Sequence, residues 1–207
     1  KAETDKSLCY VINAIVPEII ALEAKDIGAL LVHYSTDYVF DGTKIEPYLP
    51  DDKPNPINYY GSTKLMGEER IQFSGCNYLI FRTSWVYHKN YGNNFYRTMQ
   101  RLAGEREELK VVADQQGSPN NAVDLANDTA NVLSLPLSQL KAQSGIYHLT
   151  AALDQQTTWF DFAKSIIFAM PEDQRKCQRV LPITTSEYPT PAKRPMWSVM
   201  QRVLPHI

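Results

Sequence analysis

Residues 29–42 read ALLVHYSTDYVFDG. The opening ALLVHYS is a continuous apolar run behind Gly28, the pattern of a strand buried on both faces of a parallel sheet. Asp41 and Gly42 then signal a turn, so the hydroxyls of Ser35 and Thr36 fall where the strand ends. Upstream, Leu8, Val11, Ile12, Ile15, Ile19 and Leu22 recur at three- and four-residue spacing. This predicts an amphipathic helix capped by Asp5 or Ser7, ended by Gly28, and kinked or broken at Pro17. Downstream, residues 43–58 hold four prolines and no periodicity, so they form a surface loop. A helix from Tyr59 to about Phe73 follows.

The alternation then repeats. Strands are expected over 77–87, 109–114 and 145–150, and helices over 93–106, 122–135 and 159–170. Parallel neighbours need crossover connections, so this order argues for an α/β protein with a largely parallel sheet. The last forty residues, proline-rich around EYPTPAKRP, are expected to form a lobe over the sheet's edge. In open sheets of this kind ligands sit outside the carboxyl ends of the strands, which puts STDYVF and RTSWVY at the mouth of one crevice.

The 207 residues are enough to bury a real core. With 21 basic and 23 acidic side chains the net charge is -2, which offers no electrostatic footprint for nucleic acid or an anionic membrane. Cys9, Cys76 and Cys177 are odd in number and far apart, and they read as reduced thiols of a cytoplasmic protein. No stretch approaches the roughly 20 uninterrupted apolar residues of a membrane span. His33, His88, His148 and His206 show no ligand spacing with one another or with the cysteines, so no metal site is expected.

YYGSTK, residues 59–64, places Tyr60 and Lys64 one helical turn apart on one face. A phenol with an ordinary pKa of about 10 is a poor acid at neutral pH, and a neighbouring ammonium lowers that value by favouring the phenolate. Thr36, at the strand end, is placed to donate a hydrogen bond to a substrate carbonyl. Tyr60 then supplies the proton, and Lys64 holds the phenolate charge and a cofactor hydroxyl.

In order along the chain, STDYVFDG, YYGSTKLMGEE, FRTSWVY, GNNF and VVADQQGSP resemble the extended short-chain dehydrogenase/reductase superfamily and, within it, the dTDP-4-dehydrorhamnose reductase family. The resemblance runs from KAE to AKRPMWSV. It implies a Rossmann-like, doubly wound, mostly parallel sheet with a small carboxyl-terminal substrate-binding lobe. Residues 1–135 are expected to be the partial dinucleotide-binding unit and 136–207 a mixed segment, with the two interleaving. It also implies Thr36, Tyr60 and Lys64 as the catalytic set, with hydride from NADPH or NADH reducing a 4-keto dTDP-sugar in bacterial surface-polysaccharide synthesis. Asn13, Ser35, Arg82 and Thr83 join Tyr60 and Lys64 on the cofactor side. Asp37, Trp85, Asn94 and Arg194 join Thr36 on the substrate side, with Asn93 and Gln115 as weaker candidates for the nucleotide. Related dehydratases carry Asp then Glu after the strand threonine, whereas here Asp37 is followed by Tyr38, which favours reduction over water elimination. A regulatory subunit of methionine adenosyltransferase shares the scaffold and is the binding-only alternative.

None of the nine glycines forms the glycine-rich turn that lets a backbone approach a pyrophosphate. In the resembling family that turn lies before the point where this chain starts. The expectation is therefore an amino-truncated piece that binds NADPH weakly, with an exposed strand edge that favours self-association as a homodimer.

Overall fold

The computed structural model describes residues 2–206; Lys1 and Ile207, the outer ends of the two expected segments, lie outside the described residues. Asp5 opens the first helix by accepting a hydrogen bond from the Leu8 amide at 3.2 Å. The chain then runs through α1 (Lys6–Tyr10), a π-turn (Val11–Ile15), α2 (Val16–Asp26), β1 (Leu30–Thr36), α3 (Tyr59–Ser74) and β2 (Asn77–Thr83). β3 (Val86–Tyr87), α4 (Phe95–Glu105), β4 (Glu108–Val112), β5 (Gln116–Gly117), β6 (Asn120–Asn121) and α5 (Ala122–Leu133) follow. α6 (Leu137–Ala142), β7 (Gly145–His148), β8 (Thr157–Thr158), α7 (Trp159–Phe168) and β9 (Arg179–Ile183) complete the order.

Pro17 does not break the first helix. The π-turn just before it adds a residue to the turn, which accommodates a proline that has no amide to offer the Asn13 carbonyl. That carbonyl faces α3, and Gly67 is what lets the two helices touch, because a Cβ at 67 would overlap the Asn13 oxygen. The small buried residues Ala14, Pro17, Ala21 and Ala24 form the packed face. Leu8, Ile12, Val16, Ile19 and Ile27 stay exposed on the other side. By length and composition the 21-residue run Lys6–Asp26 is long and apolar enough to cross a membrane, a property that the count of uninterrupted apolar residues did not register. Here it lies along α3, fastened by an Arg70–Glu18 ion pair and by Arg70 donating to the Tyr10 hydroxyl at 2.7 Å.

β1, β2 and β7 form a parallel sheet in that order, in register from Leu30 opposite Asn77 to Thr36 opposite Thr83. Alternate residues go to opposite faces. Leu79 and Phe81 pack with Leu125, Val132 and Leu140 of α5 and α6. Ile80 packs with Ala21, Ala24 and Ile71 of α2 and α3. The result is a three-layer sandwich of helix, sheet and helix, as the alternation predicted. Among the described residues β1 is paired on one side only.

A second body is built on the parallel pair β4–β9, covered by α4 and α7 around Met99, Ala103, Phe162 and Ile166. The expected strand over 109–114 thus leaves the main sheet, and the expected strand over 77–87 breaks after Thr83. The segments on either side of residue 135 interleave. β7 comes from the second expected segment yet pairs with β2, while α4 and β4 come from the first yet pack on α7 and β9.

Candidate active site

Thr36 ends β1 and caps the short helical turn Asp37–Val39. Its hydroxyl accepts from the Tyr38 amide at 3.2 Å and donates to Asp37 Oδ1 at 3.0 Å. Tyr60 comes in from the first turn of α3, which three local features hold in place. Asn58 caps the helix by accepting from the Gly61 amide at 2.8 Å. Glu3 accepts from the Tyr59 amide at 2.9 Å. Gly61 lies so close under the Tyr38 carbonyl that a Cβ there would overlap it. The Tyr38 and Tyr60 rings meet edge to face with centroids 5.8 Å apart, and the Thr36 side chain is near enough to the Tyr60 phenol to act against the rise of its pKa. Thr36, Asp37, Tyr38 and Tyr60 therefore converge at the carboxyl end of β1.

Lys64 is one turn further along α3 and buried. Its ammonium donates to the Tyr34 carbonyl at 2.6 Å and meets His33 Nε2 at 3.0 Å, leaving one of its three donors without a partner among the described residues. Burial lowers its pKa to about 8, opposed by the charge of Glu68. His33 is lowered to about 4, first by burial and then by Lys64, so it meets the ammonium as a neutral ring. The expected depression of the Tyr60 pKa is not present. Tyr60 is raised, by burial first and by the Asp37 charge second, against the Thr36 hydrogen bond. The reason is geometric, since Lys64 spends its contacts on β1. Asn13 supports the same corner, donating to Thr63 Oγ1 at 3.1 Å and to Cys9 Sγ at 3.3 Å.

Ser35 and Arg82 do not line the crevice as expected. Ser35 donates to Glu68, and Arg82 holds Glu68 in a two-pronged ion pair, with Nη2 2.7 Å from Oε2. Arg82 also donates to the Pro50 carbonyl at 3.2 Å and lies over the Phe40 ring. Both charges are sealed from solvent, so Arg82 is a structural clasp joining β2, α3 and the proline-rich loop. Glu68 was missed, although a lone arginine inside the apolar strand NYLIFRT calls for a buried acid. Thr83 sits level with Thr36 across the strand pair, and its buried hydroxyl has no partner among the described residues.

The substrate-side residues divide. Trp85 takes a left-handed backbone (φ 45°) where the chain leaves β2, and its indole lies flat on Gly117 and stacks on Trp159 with centroids 3.4 Å apart. Asn94 is consumed as the cap of α4, accepting from the Arg97 amide at 3.1 Å and donating to the His88 and Tyr91 carbonyls. Asn93 is exposed on the same loop. Gln115 is buried and donates to Thr185 at 3.0 Å. Arg194 lines a cleft of about 570 Å³ in the second body, beside Phe95, Trp159, Tyr188, Arg106 and Lys110. The Asn58 amide donates to the Lys193 carbonyl at 2.8 Å, so the α3 cap also tethers the segment that carries Arg194. Among the described residues no group of three metal-ligating side chains converges.

A parallel helix–sheet–helix sandwich with a cleft at its strand ends is the architecture of the Rossmann-like enzymes. Residues 1–203 match the family described as the RmlD substrate binding domain, and the chain belongs to that family. It is 45% identical over 206 residues to the dTDP-4-dehydrorhamnose reductase of Burkholderia thailandensis, covering 96% of this chain and 68% of that protein. It is also 45% identical over 201 residues to the reductase of the same name from Escherichia coli, covering 94% of this chain and 64% of that protein. A crystal structure of the Bacillus anthracis dTDP-4-dehydrorhamnose reductase in complex with NADP superimposes with a TM-score of 0.87 at 40% identity, over 98% of this chain and 67% of that one. The chain thus spans about two thirds of the length of these relatives.

Proposed function

We propose that this chain carries the proton-transfer residues and the nucleotide-sugar cleft of a dTDP-4-dehydrorhamnose reductase, which reduces dTDP-4-dehydro-L-rhamnose to dTDP-L-rhamnose for bacterial surface polysaccharide. The observation that carries this reading is the Tyr60 phenol beside Thr36 at the carboxyl end of β1. The phenol keeps its proton at working pH and can deliver it to the oxygen of a ketone under reduction, with a driving force that the raised pKa lowers and that a donor to the forming phenolate restores. Bound NADPH or NADH supplies the hydride. Tyr60 and the third donor of Lys64 fit hydroxyls of such a cofactor. No glycine-lined helix start for its pyrophosphate is present among the described residues. The cleft beside Arg194 offers aromatic faces for a base and Arg106, Lys110 and Arg194 for phosphates, which supports a dTDP-sugar. A cytoplasmic location accords with three unpaired thiols, and self-association as a homodimer is proposed for the partly apolar outer face of the first helix.

The test is Tyr60→Phe in the full-length protein, followed by oxidation of NADPH in the presence of the ketosugar. Turnover is expected to drop by about 10²- to 10⁴-fold with NADPH binding kept. Turnover equal to the parent's rejects the assignment.

A further inference from the structure

Asp37 is only 2% exposed, and among the described residues no lysine or arginine pairs with it. Its Oδ1 takes the Thr36 hydroxyl proton at 3.0 Å and its Oδ2 has no hydrogen-bond partner among the described residues. The Ser198 and Thr36 hydroxyls and the Asp37 and Tyr38 amides favour the ionised form, and burial outweighs them; the Ser198 hydroxyl is also engaged with the Gln116 carbonyl at 3.2 Å. The charged and titratable groups around it do not neutralise it. Tyr38 stands on its own turn, Tyr60 approaches from α3 with Cys9 of α1 behind it, and Arg194 of the carboxyl-terminal segment acts on Tyr38. Burial accordingly pushes the Asp37 carboxyl up to about 7.

The Thr36 hydroxyl has one proton and two lone pairs. One lone pair is taken by the Tyr38 amide. While Asp37 is ionised, the proton points inward to the carboxylate, and the remaining lone pair is left to accept from the crevice side, where Thr36 acts on the Tyr60 phenol. When Asp37 is neutral it donates to Thr36 instead, and the Thr36 proton is released outward. We infer that Asp37 is a positioning residue whose protonation state sets the direction of the Thr36 hydroxyl, inward to the carboxylate or outward to the Tyr60 oxygen and the substrate carbonyl. This rests on the reductase reading of the same site. Only the outward state leaves the Tyr60 proton free for the ketone and gives the resulting phenolate a donor. No atom is gained or lost in the switch beyond one solvent proton on Asp37.

Two measurements test it. In this chain labelled with ¹³C at the aspartate carboxyls, the Asp37 resonance is identified by its loss in Asp37→Asn. It is expected to titrate near neutrality and to move higher in Thr36→Val, which removes the hydroxyl that favours the ionised form. Titration in the ordinary carboxylate range, or indifference to Thr36→Val, overturns the inference. In the full-length protein, kcat for the ketosugar is expected to fall about tenfold between pH 6 and pH 8 as a carboxyl titrating near 7 ionises. In Asp37→Asn, whose amide donates to Thr36 as the neutral acid does, that ratio is expected to approach one. An unchanged ratio overturns the inference. Failure of the reductase reading has its own signature, no ketosugar reduction at any pH with the Asp37 titration intact, and it removes the catalytic half of the inference with it.

Discussion

Arg82 and Tyr60 show how differently two polar residues near one strand end are used. Arg82 and Glu68 are both sealed from water, so removing either leaves the other charged and unpaired. Arg82→Met is expected to destabilise the fold by about 3–5 kcal/mol, read as a lower urea midpoint at unchanged slope. Loss of cofactor affinity without loss of stability would instead return Arg82 to the ligand site. Tyr60, half-buried at the crevice, keeps its hydroxyl next to a hydroxyl that Asp37 controls. The places of Thr36 and Tyr60 were legible in the sequence, because a strand end and a helix start fix them, whereas Lys64 turns to His33 and the Tyr34 carbonyl of β1. What each meets was not legible. Ser35, Arg82 and Asn94 are committed to partners 33, 14 and 6 residues away, and only the fold brings Ser35 and Arg82 to a shared glutamate.

The strand ending at Thr36 was readable from its continuous apolar run, and the helix around Tyr60 and Lys64 lies where the sequence put it. The two-residue strands β3, β5, β6 and β8 carry too few side chains for a period, and β9 contains Pro182, which argues against a strand. The contact between the first helix and α3 was also invisible, since it depends on what a glycine leaves out. In a solvated helix Gly67→Ala gains about 1 kcal/mol. Here the added methyl meets the Asn13 carbonyl, and the change is expected to destabilise by about 1–3 kcal/mol. A thermal melt separates the two, as a raised midpoint would mean that the helices do not touch at this point.

For the whole molecule, the buried imidazoles set the response to acid. Burial is the first cause for both, holding His33 at about 4 and His148 at about 3, below the unfolded value of 6.5. Their contribution is therefore present above pH 6.5 and lost as pH falls through the folded values. Asp37 runs the other way, because its folded value near 7 exceeds the unfolded 3.8, and its contribution is lost as pH rises through 7. Between pH 6.5 and 4, two protons taken up by the unfolded chain oppose one held by the folded chain. Stability is expected to fall with acid by at most about 1.4 kcal/mol per pH unit. A urea midpoint equal or higher at pH 4.5 than at pH 6.5 would contradict this. The two bodies are also joined optically. Trp85 leaves the sheet and Trp159 opens the helix of the second body, and their indoles are stacked within 9° of parallel. Transition dipoles held that close couple, and an exciton circular-dichroism couplet is the expected signature wherever the two dipoles are twisted in plane. A hinge opening of a few ångströms would erase that couplet while helix and strand signals remained, giving domain motion in this protein an intrinsic label.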